Sequence, residues 1–136
     1  MTLTATFGWN SLEFKTSTAD KNAGDPVDYA PRKSYSLSLD YRRAIAGTTE
    51  GFFRTDYQYS GRAQVSLRDF AQIVPLPARD TLNIRLGLDW GSFEASLYGT
   101  NILNDSTPIQ VGPYAAIAEN VEQRPRTLGV NVRLHF

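Results

Sequence analysis

Asp40 and Arg42, Arg54 and Asp56, and Arg85 and Asp89 recur two or four positions apart. In an extended chain that spacing puts both members of each pair on one face. Such a set could form a charge ladder that lines a water-filled path or contacts a buried segment. The plainer reading is cross-strand ion pairing that satisfies a sheet, worth about 0.2–1 kcal/mol per pair. Catalytic chemistry has less to build on. The chain holds one histidine, His135, and no cysteine, so no imidazole or thiolate set is available for a metal. Serine and threonine are plentiful, but a hydroxyl nucleophile needs a positioned base, and only His135 could serve. Asn104-Asp105-Ser106 fits the acceptor pattern for N-glycosylation, a three-residue match that carries little weight by itself. No enzymatic activity, metal or cofactor is expected.

The elements that must position these residues read as strands. Six segments alternate apolar and polar side chains: about Thr2 to Phe14, Ser34 to Ile45, Gly51 to Gly61, Thr81 to Trp90, Ser92 to Ile102 and Arg126 to Phe136. In the second, Leu37, Leu39 and Tyr41 oppose Ser38, Asp40 and Arg42; in the fourth, Leu82, Ile84, Leu86, Leu88 and Trp90 oppose Asn83, Arg85, Gly87 and Asp89. Period two throughout predicts strands rather than helices. The connections alternate: tight turns at 46–50 and around Gly91, long polar or Pro-containing loops at 15–33, 62–80 and 105–123. The expected fold is all-β, an antiparallel up-and-down meander of about six long strands.

The last segment is the most telling. Leu128, Val130, Val132, Leu134 and Phe136 share one face, and Gly129, Asn131, Arg133 and His135 the other. Its length suits the roughly 9–11 residues of a tilted membrane-crossing strand better than the usual soluble strand of about 5–6. Alternating lipid-facing and lumen-facing residues lower the mean hydropathy of a membrane barrel, so a value of −0.35 is compatible with one. No run approaches 18 apolar residues, which leaves no candidate for a spanning helix. Zero net charge and a pI near 6.6 do not point to a nucleic-acid partner. Tyr41, Trp90, Phe93 and Phe136 fall near the short-turn rim and are candidate interface aromatics, with Arg43 reaching towards headgroups. The competing reading is that aromatics simply favour strands.

Arg124-Pro125-Arg126-Thr127-Leu128-Gly129, leading to the terminal Phe136, resembles the final strand of TonB-dependent outer-membrane receptors, with Leu128 where an aromatic is common. Ala30-Pro31-Arg32-Lys33 followed by the strand from Ser34 to Tyr41, and Thr81 to Trp90 followed by Phe93 to Asp105, are similar to two further elements of that family, the second to its penultimate hairpin. The resemblance implies that residues 1–136 form a C-terminal barrel segment without a plug, located in the bacterial outer membrane. It makes Gly129, Val130, Val132, Leu134 and Phe136 an assembly-signal strand. The implied partners are outer-membrane lipid, the barrel-assembly machinery, and upstream barrel strands and a plug that this chain does not contain. TonB would be engaged only through that upstream region. The intact protein would take up a siderophore, vitamin or carbohydrate-type ligand. Met1-Thr-Leu-Thr-Ala-Thr-Phe has no signal-peptide character, which leads to the expectation of a fragment or a lost start. Two other readings stay open: a soluble β-barrel or sandwich binding module, and a subunit of a small oligomeric outer-membrane pore.

Overall fold

The computed structural model describes residues 1–18, 21–67, 72–111 and 120–135. In chain order its strands are β1 (Thr2–Trp9), β2 (Lys33–Ala46), β3 (Thr49–Ser60), β4 (Ala63–Leu67), β5 (Gln72–Leu76), β6 (Arg79–Asp89), β7 (Phe93–Thr100), β8 (Pro108–Val111), β9 (Asn120–Glu122) and β10 (Thr127–Leu134). Strands β1, β2, β3, β6, β7 and β10 form one six-stranded sheet in that order, with every neighbouring pair antiparallel. The sheet is open, and no helix occurs among the described residues. The expected meander is therefore the observed fold.

Register turns the period-two pattern into two chemically distinct faces. One row across all six strands reads Leu3, Leu39, Thr55, Ile84, Gly99 and Leu128; another reads Tyr41, Phe53, Leu86, Leu97 and Val130. The opposite face carries Thr2, Asp40, Arg54, Arg85, Tyr98 and Gly129 in one row, and Arg42, Phe52, Gly87, Ser96 and Asn131 in the next. A slip of one residue would exchange the faces.

Two short turns lie at one rim. Gly47, at φ 56°, opens the β2–β3 connection, where a positive φ lets a short hairpin follow the strand twist. The β6–β7 turn is closed by the Trp90 amide on the Phe93 carbonyl at 2.8 Å and by the Gly91 amide on the Asp89 carboxylate at 2.8 Å.

Three expectations need correction. The first strand ends at Trp9 rather than near Phe14; the chain then folds back, with the Phe14 amide donating to the Asp25 carbonyl at 2.9 Å. Two of the long connections hold hairpins of their own, β4–β5 and β8–β9. The final strand stops at Leu134, and Phe136, assigned to the assembly signal and to the interface aromatics, lies outside the described residues.

The sheet is not wrapped round a hydrophobic core. Among the described residues the buried large apolar side chains are Phe52 at 8%, Val65 at 5% and Leu76 at 5% exposure. Phe52 is on the polar face, while Val65 and Leu76 belong to the β4–β5 hairpin at the long-loop rim. The apolar face of the sheet is uncovered: Leu37 is 46%, Leu97 58%, Val130 67% and Leu128 71% exposed.

Candidate functional site

The polar face brings most of the predicted charges together, though largely along strands rather than across them. Arg54 and Arg85 are direct neighbours in register, and their guanidinium groups diverge to separate acids. Arg54 grips Asp56 on its own strand through Nε at 3.0 Å and Nη2 at 3.2 Å, while Ser38 donates to the same carboxylate at 2.8 Å. Asp40 and Arg42 also pair within one strand, loosely, at 3.9 Å. Asp89 makes its contact in the turn, to the Gly91 amide.

Arg85 is the exception that crosses strands. Its Nη2 donates to Glu94 on β7 at 2.6 Å, its Nε to Ser96 at 3.0 Å, and Nη2 also reaches Asn131 on β10 at 3.3 Å. One side chain thus ties three strands, and Glu94 becomes one of the most buried carboxylates, with its side chain 8% exposed. Sequence reasoning did not single out Glu94 or Phe52. The Phe52 ring lies between two guanidiniums, Arg42 at 5.2 Å and Arg85 at 5.6 Å from its centroid, an attractive placement of cations on an aromatic face.

The aromatics of the apolar face gather at both rims. Trp90 and Phe93 stack at the turn rim, centroids 5.2 Å apart; Tyr41 sits farther in, opposite Phe53. At the loop rim Tyr35 stacks on Tyr59 at 4.6 Å and tilts against Tyr57 at 5.9 Å, and Lys33 lies 5.2 Å over the Trp9 ring. Ten residue steps separate Asp80, level with Tyr35 and Tyr59, from Trp90. At about 3.4 Å per residue this is about 34 Å along the strand, or roughly 24–28 Å in height at a barrel tilt of about 35–45°.

The loop rim is tied by two polar clusters. In one, the Lys21 ammonium donates to Asp28 at 2.7 Å and to the Ser66 hydroxyl, whose own amide donates to Asp28 at 3.1 Å. An ammonium engaged this way has no lone pair to accept the Ser66 proton, so the group fastens the 10–32 loop to the β4–β5 hairpin and is not a nucleophile–base pair. In the other, the Asn101 side chain donates to the carbonyls of Asp105 at 2.9 Å and Arg124 at 2.7 Å and accepts from the Asp105 amide at 3.1 Å. Asn101 and Asn104 take positive φ values of 47° and 55°, a conformation asparagine tolerates better than most residues. The Asp105 carboxylate receives the amides of Asp80 at 2.7 Å and Thr107 at 2.8 Å. Burial acts to raise its pKa, but hydrogen bonds from Thr107 and the Asp80 amide, with Arg79 nearby, outweigh that and hold it below the ordinary carboxylate value.

Two cavities adjoin at this rim. One, of about 370 Å³, lies among the loops between Tyr29, Leu76, Ile109 and Gln110. The other, of about 320 Å³, lies against the polar face beside Thr6, Ser34, Gln58 and Thr81. Ser60 and Arg79 line both. His135 stands apart at the other rim, its amide on the Ser92 carbonyl at 2.9 Å, and no cluster of potential metal ligands occurs among the described residues. Comparison with protein families, curated proteins and solved structures finds no match for this chain.

Proposed function

We propose that the six-stranded sheet is part of the wall of an outer-membrane β-barrel of the TonB-dependent receptor type, with its apolar face against lipid and its polar face towards the lumen. The single observation that carries this reading is the uncovered apolar face, continuous over all six strands, on a chain whose buried apolar side chains, among the described residues, are Phe52 on the opposite face and two in the β4–β5 hairpin. A soluble monomer rarely exposes a contiguous apolar patch beyond about 300–600 Å², and a membrane barrel wall requires one. The spacing of the two aromatic groups supports it further, since outer-membrane barrels carry an apolar band about 25 Å tall between aromatic girdles.

In this reading the wall contributes to uptake of a siderophore, vitamin or carbohydrate-type ligand, and the energy-coupling partner TonB acts through a plug region supplied by the intact receptor. Strands β1 and β10 each have one neighbour in the sheet; further barrel strands would satisfy their free edges in lipid. The barrel-assembly machinery would receive the β10 strand, including Gly129, Val130, Val132 and Leu134.

The two tryptophans provide the test, because Trp9 lies on the apolar face at the loop rim and Trp90, just beyond β6, stacks on Phe93 of that face at the turn rim. In vesicles, lipids brominated near the headgroup should quench both single-tryptophan variants, W9F and W90F, more strongly than lipids brominated at the acyl end. Absence of quenching by either lipid, with the protein folded, would refute a lipid-facing wall.

A further inference from the structure

We propose that the adjoining cavities at the long-loop rim bind a sugar-sized polyol carrying one anionic group, with Arg79 as the anion anchor and Tyr29 as a platform for the ring. The proposal rests on the barrel reading only for the compartment that the cavities face.

Tyr29 provides the first argument. Its φ of 58° is a conformation that a bulky residue rarely adopts, and it is fixed at both ends, the amide on the Gln64 carbonyl at 2.9 Å and the hydroxyl on the Val111 carbonyl at 2.8 Å. Backbone held in such a region by its surroundings is characteristic of ligand clamps. Here it pins an aromatic ring between two loops, at the wall of the cavity.

The lining supplies the chemistry. Leu76, Pro77 and Ile109 make the upper cavity partly apolar, with Gln110, Ser60 and Arg79 as its few polar groups, the usual composition of a small-molecule site. The lower cavity presents hydroxyls of Thr6, Ser34, Ser36 and Thr81 and the Gln58 amide, all groups able to donate and accept as sugar hydroxyls do. No carboxylate lines either cavity among the described residues, and Arg79 is the formal charge common to both. Its planar fork of donors suits a carboxylate or phosphate. Volumes of about 370 and 320 Å³ fall at the small end of ligand sites, fitting one or two rings rather than a polymer.

Calorimetric titration of the full chain, folded in detergent micelles, would use D-glucuronate, D-glucose 6-phosphate and neutral D-glucose. At least one charged sugar should bind about tenfold or more tighter than glucose, as a charge-assisted contact implies; whichever is tighter identifies a carboxylate or a phosphate as the anion. R79Q should abolish the preference for charge, R79K should retain much of it, and Y29A should weaken all three sugars. Equal binding of glucose and the charged sugars would overturn the role of Arg79. Acetate or inorganic phosphate binding as tightly as the sugars would overturn the polyol. No binding by protein that has folded in micelles would overturn the whole proposal and leave the barrel wall standing. Binding by a chain that is folded and monomeric without detergent would sustain the site and refute the wall.

Discussion

The ring of Phe52 lies across Gly87 on the neighbouring strand: a Cβ at position 87 would meet Phe52 Cζ at 2.7 Å. Phe52 and Gly87 are directly opposed in the β3–β6 register, so glycine gives the space in which the aromatic lies flat between its two arginines. Tyr98 repeats the arrangement over Gly129, where a Cβ would come within 2.5 Å of its hydroxyl oxygen. G87A should destabilise the folded protein by about 1–3 kcal/mol, the usual cost of overpacking. The same Cβ would meet the Ala95 carbonyl oxygen and Ser96 Cβ more closely still, so F52L should recover little of that loss in the double variant, as read by urea unfolding in micelles.

Glu94 should be the costliest of the acidic side chains to neutralise. E94Q leaves Arg85 facing an uncharged partner at a site where the carboxylate is 8% and the arginine 34% exposed. Full burial would bring about 3–5 kcal/mol; with Arg85 partly solvated, about 1–3 kcal/mol is expected. D40N, whose pairing with Arg42 is loose at 3.9 Å, should change stability by less than about 1 kcal/mol. Urea unfolding of the two variants in micelles measures both differences.

Acid should loosen the β7 end of the sheet before the rest. The Asp105 carboxyl titrates below its ordinary value, so its contribution is fully present above about pH 4 and is lost as pH falls through the depressed folded value. Hydrogen exchange at the Asp80 and Thr107 amides, corrected for intrinsic rates, should lose protection in that range. In D105N the acid-dependent component should be absent.

Facing can be tested with adjacent residues. Leu37 and Ser38 point to opposite sides of β2, and an arginine at the lipid-facing midplane of a barrel costs about 2–4 kcal/mol. L37R should impair folding into vesicles strongly, while S38R, on the face that already holds Asp56 and Arg54, should be tolerated. Equal impairment would remove the basis for assigning either face.

The meander was legible in the sequence because each sheet strand carries the same period-two signal along its length, as between Ser34 and Tyr41 or Leu82 and Trp90. The hairpins were not, for local reasons. Strand β5 contains Pro75, a residue that argues against a strand, and β9 spans only Asn120–Glu122. Among the candidate site residues, the alternation placed Asp40, Arg42, Arg54, Asp56 and Arg85 on one face, but the choice of partner depended on register. Arg85 finds Glu94 because β6 and β7 turn tightly at Gly91, whereas Arg54, set between Asp40 on β2 and Arg85 on β6, pairs instead with Asp56 on its own strand. The alternation of Arg54, Asp56 and Gln58 with Phe53, Thr55 and Tyr57 assigns Phe52 to the polar face, but its burial there depends on Gly87 across the sheet and on Arg42 and Arg85, which register alone brings together.

The uncovered apolar face also sets a kinetic order. Insertion into a bilayer is first order in protein, whereas association of two exposed faces in water is second order, so dilution favours the first over the second. With its buried apolar side chains confined to Phe52 and the β4–β5 hairpin among the described residues, the chain has little else with which to shield that face in the interval. Yield of the membrane-inserted form should therefore be governed by protein concentration and by the speed of delivery, more than by the final depth of the folding well.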